Sequence, residues 1–212
     1  MVNINSHFNT PITSLNYSDG KNSYFVKRDD LIPFSVGGNK VRIAYQYFKD
    51  MEDKGKNCII SYGSSQSNLN RVIANISKSK NIPCYIIVPV EKDSNINNNF
   101  NTILIQLYGA KIINCDKKEV AHTVDFVMKK VKKDGLKPYY IFGNKFGQGN
   151  EIAPVNAYVE AYKEIKNFEV QNEIRFDYIF LASGTGMTQA GLLCGKAQYK
   201  DNKNIIGISI AR

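Results

Sequence analysis

No run of apolar residues in this sequence approaches the roughly 20 that a membrane-spanning helix requires. The opening stretch, MVNINSHFNTPITSL, also lacks the basic-then-apolar order of a secretory signal. Neither a membrane protein nor an exported one is expected, which leaves a cytoplasmic location. Cysteine is scarce. Cys58, Cys84, Cys115 and Cys194 form no CxxC pair and have no histidine nearby, which argues against zinc and dithiol redox chemistry. Three of them lie in or beside apolar runs, where free cysteine behaves as a small hydrophobe, and they are read as buried thiols. Acidic residues are outnumbered, 19 against 28 lysines and arginines, for a net charge of +9. Such an excess would permit a nucleic-acid partner, but the lysines are scattered among Asn and Ile without aromatic interleaving or a nucleic-acid motif, so none is expected. The one dense run, MKKVKKDG at 128–135, follows Val124 and Val127 at helical spacing with Met128 and Val131, so its lysines form the wet face of an amphipathic helix. There is no internal repeat and no disordered linker. The only biased segment, SNINNNFN at 94–101, reads as a loop capping a helix that begins near Asn98.

What is present is enough for a sizeable core: 212 residues with 43% hydrophobic content, one domain or two small ones on length alone. Short apolar runs read as strands at 23–28, 58–62, 84–90, 110–115, 139–143, 178–182 and 205–210. Helical patterns fall near 40–54, 67–79, 97–108, 119–133, 152–168 and 187–199. This alternation predicts an α/β fold with parallel sheets flanked by helices. The sequence ends on IIGISIAR, an apolar strand with no helix after it, whereas a parallel strand needs cover on both faces. The chain is therefore expected to be cut short.

Three stretches carry chemistry. In VGGNKVR, Lys40 follows two glycines and an asparagine at the start of a helix. It is either a solvated surface charge or, in a desolvated pocket, a lysine able to form a Schiff base with an aldehyde cofactor. Gly37 and Gly38 permit close backbone approach. In SYGSSQSNLNRVIANIS a strand ends in a Gly/Ser loop that opens a helix at about Ser67. Ser67 is either the cap of that helix or a catalytic hydroxyl. Asn68 beside it can bond a ring substituent, and Arg71 is expected to be solvated or salt-bridged. In IFLASGTGMTQAGLLCG another strand, loop and helix follow one another. Gly184 and Gly186 expose backbone donors, Thr185 and Thr188 add hydroxyls, and the helix beginning at Met187 supplies its positive end, so the loop is either a tight turn or a phosphate cradle. No GK[ST] follows and GxGxxG does not fit. A Schiff-base lysine together with a phosphate cradle implies a phosphorylated aldehyde, and pyridoxal 5′-phosphate is the common one.

KRDDLIPFSVGGNKVR, SSQSNLNR, NTILIQLYGAKI and ASGTGMTQAGLL, in that order across about residues 9–212, resemble the successive motifs of the fold type II pyridoxal phosphate enzymes. More narrowly, they are similar to the 1-aminocyclopropane-1-carboxylate deaminase and D-cysteine desulfhydrase family. The resemblance implies a two-lobed, tryptophan synthase β-like fold. It implies that Lys40 carries the internal aldimine and moves the substrate's α-proton, that Ser67 faces the substrate, and that Asn68 contacts the cofactor's 3′-oxygen. Gly184, Thr185, Gly186, Met187 and Thr188 are implied to hold the phosphate.

Two departures bear on substrate choice: Ile43 stands where the family often has a basic residue, and GNKFGQGNEIAPVNAY at 143–158 replaces a glycine-rich stretch. Family members are also longer, and the part absent here is implied to hold the partner of the pyridine nitrogen and a catalytic tyrosine. The expected organisation is a larger, incomplete cofactor-binding domain of residues 1–50 and 151–212, with a smaller α/β domain of residues 51–150 inserted. The implied partners are a small amino-acid substrate and either a second copy of the chain or a chain carrying the C-terminal part. A non-catalytic remnant, or one part of a split enzyme, is the alternative.

Overall fold

The computed structural model describes residues 8–90 and 99–210. The chain divides into two compact units, residues 1–46 with 152–212 (unit 1) and residues 47–151 (unit 2). Helix α1 (Asn39–Asp53) runs across the division.

Unit 2 is built on a four-stranded parallel sheet of β3 (Cys58–Tyr62), β4 (Cys84–Val90), β5 (Lys111–Asp116) and β6 (Pro138–Tyr140), in the order β5-β4-β3-β6. Side chains alternate across a strand. On one face Cys58, Ile60, Tyr85, Ile87 and Tyr140 form a buried cluster with Val124, Val127 and Val131 of α4 (Val120–Lys133). The lysines of the KKVKK run lie exposed on the opposite side of that helix, with Met128 half-buried against the cluster. Helix α2 (Asn68–Lys80) also packs on β3 and β4, burying Val72, Ile73 and Ile76. It ends at Asn81 in the left-handed region (φ 55°), whose N–H returns to Lys78 and Ser77. Helix α3 (Phe100–Leu107) is capped by Asn99, which accepts from Thr102 N at 3.0 Å. The helix thus begins two residues later than expected; residues 94–98 of the biased segment lie outside the described residues.

Unit 1 contains an antiparallel pair, β1 (Ile12–Ser18) with β2 (Ser23–Lys27), and a parallel pair, β7 (Tyr178–Ser183) with β8 (Asn204–Ser209). The antiparallel pair adds to the parallel sheets that the sequence predicts. Strand β1, ITSLNYS, was not anticipated because it lacks a continuous apolar run and is largely exposed. The strand expected at 139–143 is also shorter, since the chain turns after Tyr140 and Gly143 N bonds Tyr140 O at 2.8 Å. Helices α5 (Ile152–Gln171) and α6 (Met187–Gln198) approach closely through Gly191 and Gly195: a Cβ at Gly195 would lie 2.5 Å from Tyr162 Cβ. Cys194 lies between these glycines and is exposed, while Cys115 is half-buried, so only Cys58 and Cys84 are the buried thiols expected. Burial pushes both of those up to about 12, where they stay protonated. The outer face of the parallel pair exposes Tyr178, Phe180, Ile206, Ile208 and Ile210.

A polar knot fixes the far end of unit 1. Lys203 is fully buried and donates to Glu169 (3.1 Å) and Asp201, with its ammonium over the Tyr162 ring. Lys166 bridges the same carboxylates at 2.7 and 3.0 Å. Burial opposes the charge on Glu169, but Lys166, the Phe176 N–H and Lys203 outweigh it. Burial likewise opposes that on Asp201, where Lys203, Lys166 and Tyr162 outweigh it, so both carboxyls sit below their usual range. A carboxyl that binds its proton more weakly when folded stabilises fully above its unfolded value, about 4, and loses that contribution as pH falls. The melting temperature should drop as pH is lowered from about 5 to about 3, with a smaller drop in Asp201→Asn. An equal drop in that variant would place the acid sensitivity elsewhere.

Candidate active site

In unit 2 the strand order reverses after β5: β6 returns to lie beside β3, making the carboxyl end of β3 a topological switch point, where α/β sheets place ligands. The loop there is Gly63 to Ser67. Ser67 Oγ accepts from Asn70 N at 3.2 Å, so the residue caps α2. Asn70 is in turn fixed by the buried Ser61 hydroxyl, which donates to its Oδ1 at 2.6 Å.

Asn68 follows the cap and is exposed at the helix start. Its Oδ1 accepts from Arg71 Nη1 and Asn101 Nδ2, each at 3.0 Å. With the oxygen engaged, the amide has N–H groups to offer an acceptor. Asn101 also donates to Gln66 O (2.7 Å) and Thr102 to Ser65 O (3.1 Å), so the start of α3 grips the loop from outside. Arg71 is buried and donates to the amide oxygens of Asn68 and Asn101, which corrects its reading as a solvated residue. Its position one turn into α2 turns its side chain toward Asn68 and Asn101. Asn101 and Arg71 were missed as site residues, although both stand in the quoted motifs.

In unit 1, Lys40 lies on the first turn of α1 and is half-buried. Burial lowers its pKa, and no carboxylate lies within ion-pair distance among the described residues. Gly37 (φ 67°) sits so close to Asp30 that a Cβ would lie 2.2 Å from that residue's carbonyl oxygen, so only glycine fits. Ile43, three residues after Lys40, is fully buried and belongs to the core.

The second loop of unit 1 joins β7 to α6. Gly186 is the N-cap of α6, at φ 80°, and makes no side-chain cap bond. Open space surrounds it: an added Cβ would meet nothing within 4 Å. Ser183 Oγ donates to Gln189 Oε1 at 3.0 Å, anchoring the loop from behind. Asn39 Nδ2 donates to Thr188 Oγ1 at 3.4 Å, which brings the first turn of Lys40's helix against the first turn of α6. Asn39 was not singled out from the sequence; its place in GGNK was the available signal. The structure therefore brings Lys40 together with the 184–188 loop inside unit 1, and Ser67 with Asn68 inside unit 2.

A half-buried amine and a glycine-capped helix start thus come together in unit 1. A family model for pyridoxal-phosphate dependent enzymes matches residues 5–212, and the chain belongs to that family. D-cysteine desulfhydrase of Klebsiella pneumoniae is 28% identical over 192 residues, covering 89% of this chain and 57% of its own length. A putative 1-aminocyclopropane-1-carboxylate deaminase of Pyrococcus horikoshii is 29% identical over 191 residues, covering 89% and 55%. The crystal structure of an ACC deaminase homologue superposes with a TM-score of 0.81 at 28% identity, covering 98% of this chain and 62% of the other. A hydrogen sulfide-producing enzyme of Fusobacterium nucleatum, at 22% identity and a TM-score of 0.64, shares the fold. The chain spans a little over half the length of the curated relatives it matches.

The residues present fit the cofactor of this family. Gly186 leaves room at a helix start without a side-chain cap, Thr185 and Thr188 bring hydroxyls, and Lys40 lies on the adjoining helix turn. Ser67→Ala removes the acceptor for Asn70 N–H and should lower stability by about 1 kcal/mol. The check is a shift in urea midpoint without a change in slope; an unshifted midpoint would show that the cap contributes nothing.

Proposed function

We propose that this chain serves a pyridoxal phosphate-dependent lyase or deaminase reaction on a small amino acid of the 1-aminocyclopropane-1-carboxylate or D-cysteine type. The observation that carries this is the contact of Asn39 with Thr188, which joins the turn of Lys40 to the glycine-capped start of α6. When bound, pyridoxal 5′-phosphate supplies an aldehyde carbon that condenses with an amine, losing water, and a ring that accepts electrons from a bond broken at the substrate's α-carbon.

Lys40 is assigned as the attachment amine. Desolvation favours its uncharged form, which is the nucleophile and also the form able to take up a proton from the α-carbon. The loop of Gly184, Thr185, Gly186, Met187 and Thr188 is assigned to the phosphate, whose charge the start of α6 favours. Asn68 is assigned to the 3′-oxygen through its amide N–H, and Ser67 to the substrate. Residues 1–50 with 151–212 are then the cofactor-binding domain and 51–150 the smaller one.

Reduction with borohydride after addition of pyridoxal 5′-phosphate should leave a stable adduct on the peptide containing Lys40, and Lys40→Ala should remove it. An equal adduct in that variant would overturn the assignment. Gly186→Asp sets like charge and bulk where donors are needed, and should weaken cofactor binding by about tenfold to a hundredfold. An unchanged dissociation constant in a folded variant would reduce the loop to an ordinary turn. Release of ammonia from 1-aminocyclopropane-1-carboxylate, or of sulfide from D-cysteine, decides the substrate class. Ser67→Ala should lower either release by about tenfold or more while leaving the adduct on Lys40 intact.

A further inference from the structure

Behind the turn that carries Lys40 lies a buried polar cluster that the roles assigned above do not use. Arg42 is 4% exposed. Its guanidinium donates to Asp29 (Nε to both oxygens at 3.0 Å, Nη2 to Oδ1 at 2.9 Å) and to Glu164 (Nη1 to Oε1 at 2.6 Å, Nη2 to Oε2 at 2.9 Å). A further bond reaches Thr10 Oγ1 at 3.0 Å. Lys27 Nζ donates to Glu164 Oε2 at 2.5 Å and to Thr10 Oγ1 at 2.6 Å. Tyr158 Oη donates to Asp29 Oδ2 at 2.8 Å. Two carboxylates therefore face two cations, and the cluster is charge-balanced.

Asp29 acts through its backbone as well. Its carbonyl accepts from Gly38 N at 2.8 Å and Ile32 N at 3.2 Å, and Gly38 O in turn accepts from Val41 N at 3.0 Å. One residue thus grips the glycine loop before Lys40 through its carbonyl and the helix after Lys40 through its side chain. Residues two apart on an α-helix lie about 200° apart around the axis, so Arg42 holds the carboxylates on the side opposite Lys40.

We propose that Asp29 and Arg42 are positioning residues for the Lys40 amine: their cluster fixes the two glycines and the first turn of α1, and keeps Asp29 and Glu164 engaged behind the helix so that neither pairs with Lys40. This rests on the reading of Lys40 as the attachment amine. A merely structural cluster would change the melting temperature of the whole chain without singling out one lysine.

Two readouts test the idea. In the cofactor-free chain, trace labelling with acetic anhydride and peptide mass spectrometry compares Lys40 with the exposed Lys133 in the same molecule. Arg42→Gln leaves two carboxylates against one ammonium and should lower the Lys40-to-Lys133 ratio by about threefold or more. With pyridoxal 5′-phosphate and borohydride, Asp29→Asn should slow adduct formation at Lys40 by about tenfold or more. Folded variants with an unchanged ratio and rate would overturn the proposal. Should both charge variants fail to fold, Tyr158→Phe removes one uncharged donor from Asp29 and keeps the ion pairs. It should slow the same adduct by about twofold, and an unchanged rate there overturns the proposal as well. If the unaltered chain forms no adduct at Lys40, the attachment reading fails, while the acetylation ratio still decides the positioning one.

Discussion

The guanidinium of Arg42, held between Asp29 and Glu164, is the interaction on which unit 1 depends. Burial works against a charge on Arg42, and Glu164 and Asp29 more than offset it, holding the guanidinium above its usual range. A buried ion is costly unless its geometry is good and its remaining hydrogen-bonding groups are used. Here both conditions hold: the fork meets two carboxylates, whose oxygens accept further bonds from Thr10, Lys27 and Tyr158. The consequence is topological. Residues 10, 27–29, 42 and 158–164 come from separate stretches of the chain, and the ion pair of Arg42 with Glu164 spans 122 residues. The N-terminal segment and α5 cannot part without leaving charges uncompensated, so the glycine loop, Lys40 and α5 form one framework.

That long span also marks the limit of what can be read from sequence. The helices were legible because apolar residues recur at their own period, as in Val124, Val127 and Val131. The strands of the central sheet were legible because parallel strands buried on both faces are continuous apolar runs, as in CIISY and CYIIVPV. β1 escaped because an exposed edge pair needs no such run. The site motifs stood out because glycine, serine and lysine at strand-to-helix turns are locally unusual. Their partners did not. Arg71 looks like any helix arginine until Asn68 and Asn101 are folded against it, and Arg42 and Glu164 carry no local sign of each other. Cys194 was misjudged for the same reason: which side of α6 meets α5 is set by the close approach at Gly191 and Gly195, not by the polarity of the residues between.

The two strand-loop-helix turns look alike in sequence, yet they are chemically different, and capping makes the difference. At α2 the hydroxyl of Ser67 accepts the Asn70 N–H and the amide oxygen of Asn68 is drawn inward, so part of that helix start is already engaged. At α6 the N-cap is Gly186, which has no side chain to accept from the first turn and no neighbour within 4 Å of where one would stand. Backbone donors at a helix start favour an anion when no internal acceptor competes for them. The α6 start, with a glycine where α2 has a capping hydroxyl, is the one proposed to hold the phosphate, while the α2 start presents a fixed hydroxyl and a fixed amide, the groups proposed to face the substrate and the ring. Asn39 ties the loop proposed to hold the phosphate to the turn of Lys40, the lysine proposed as the attachment amine.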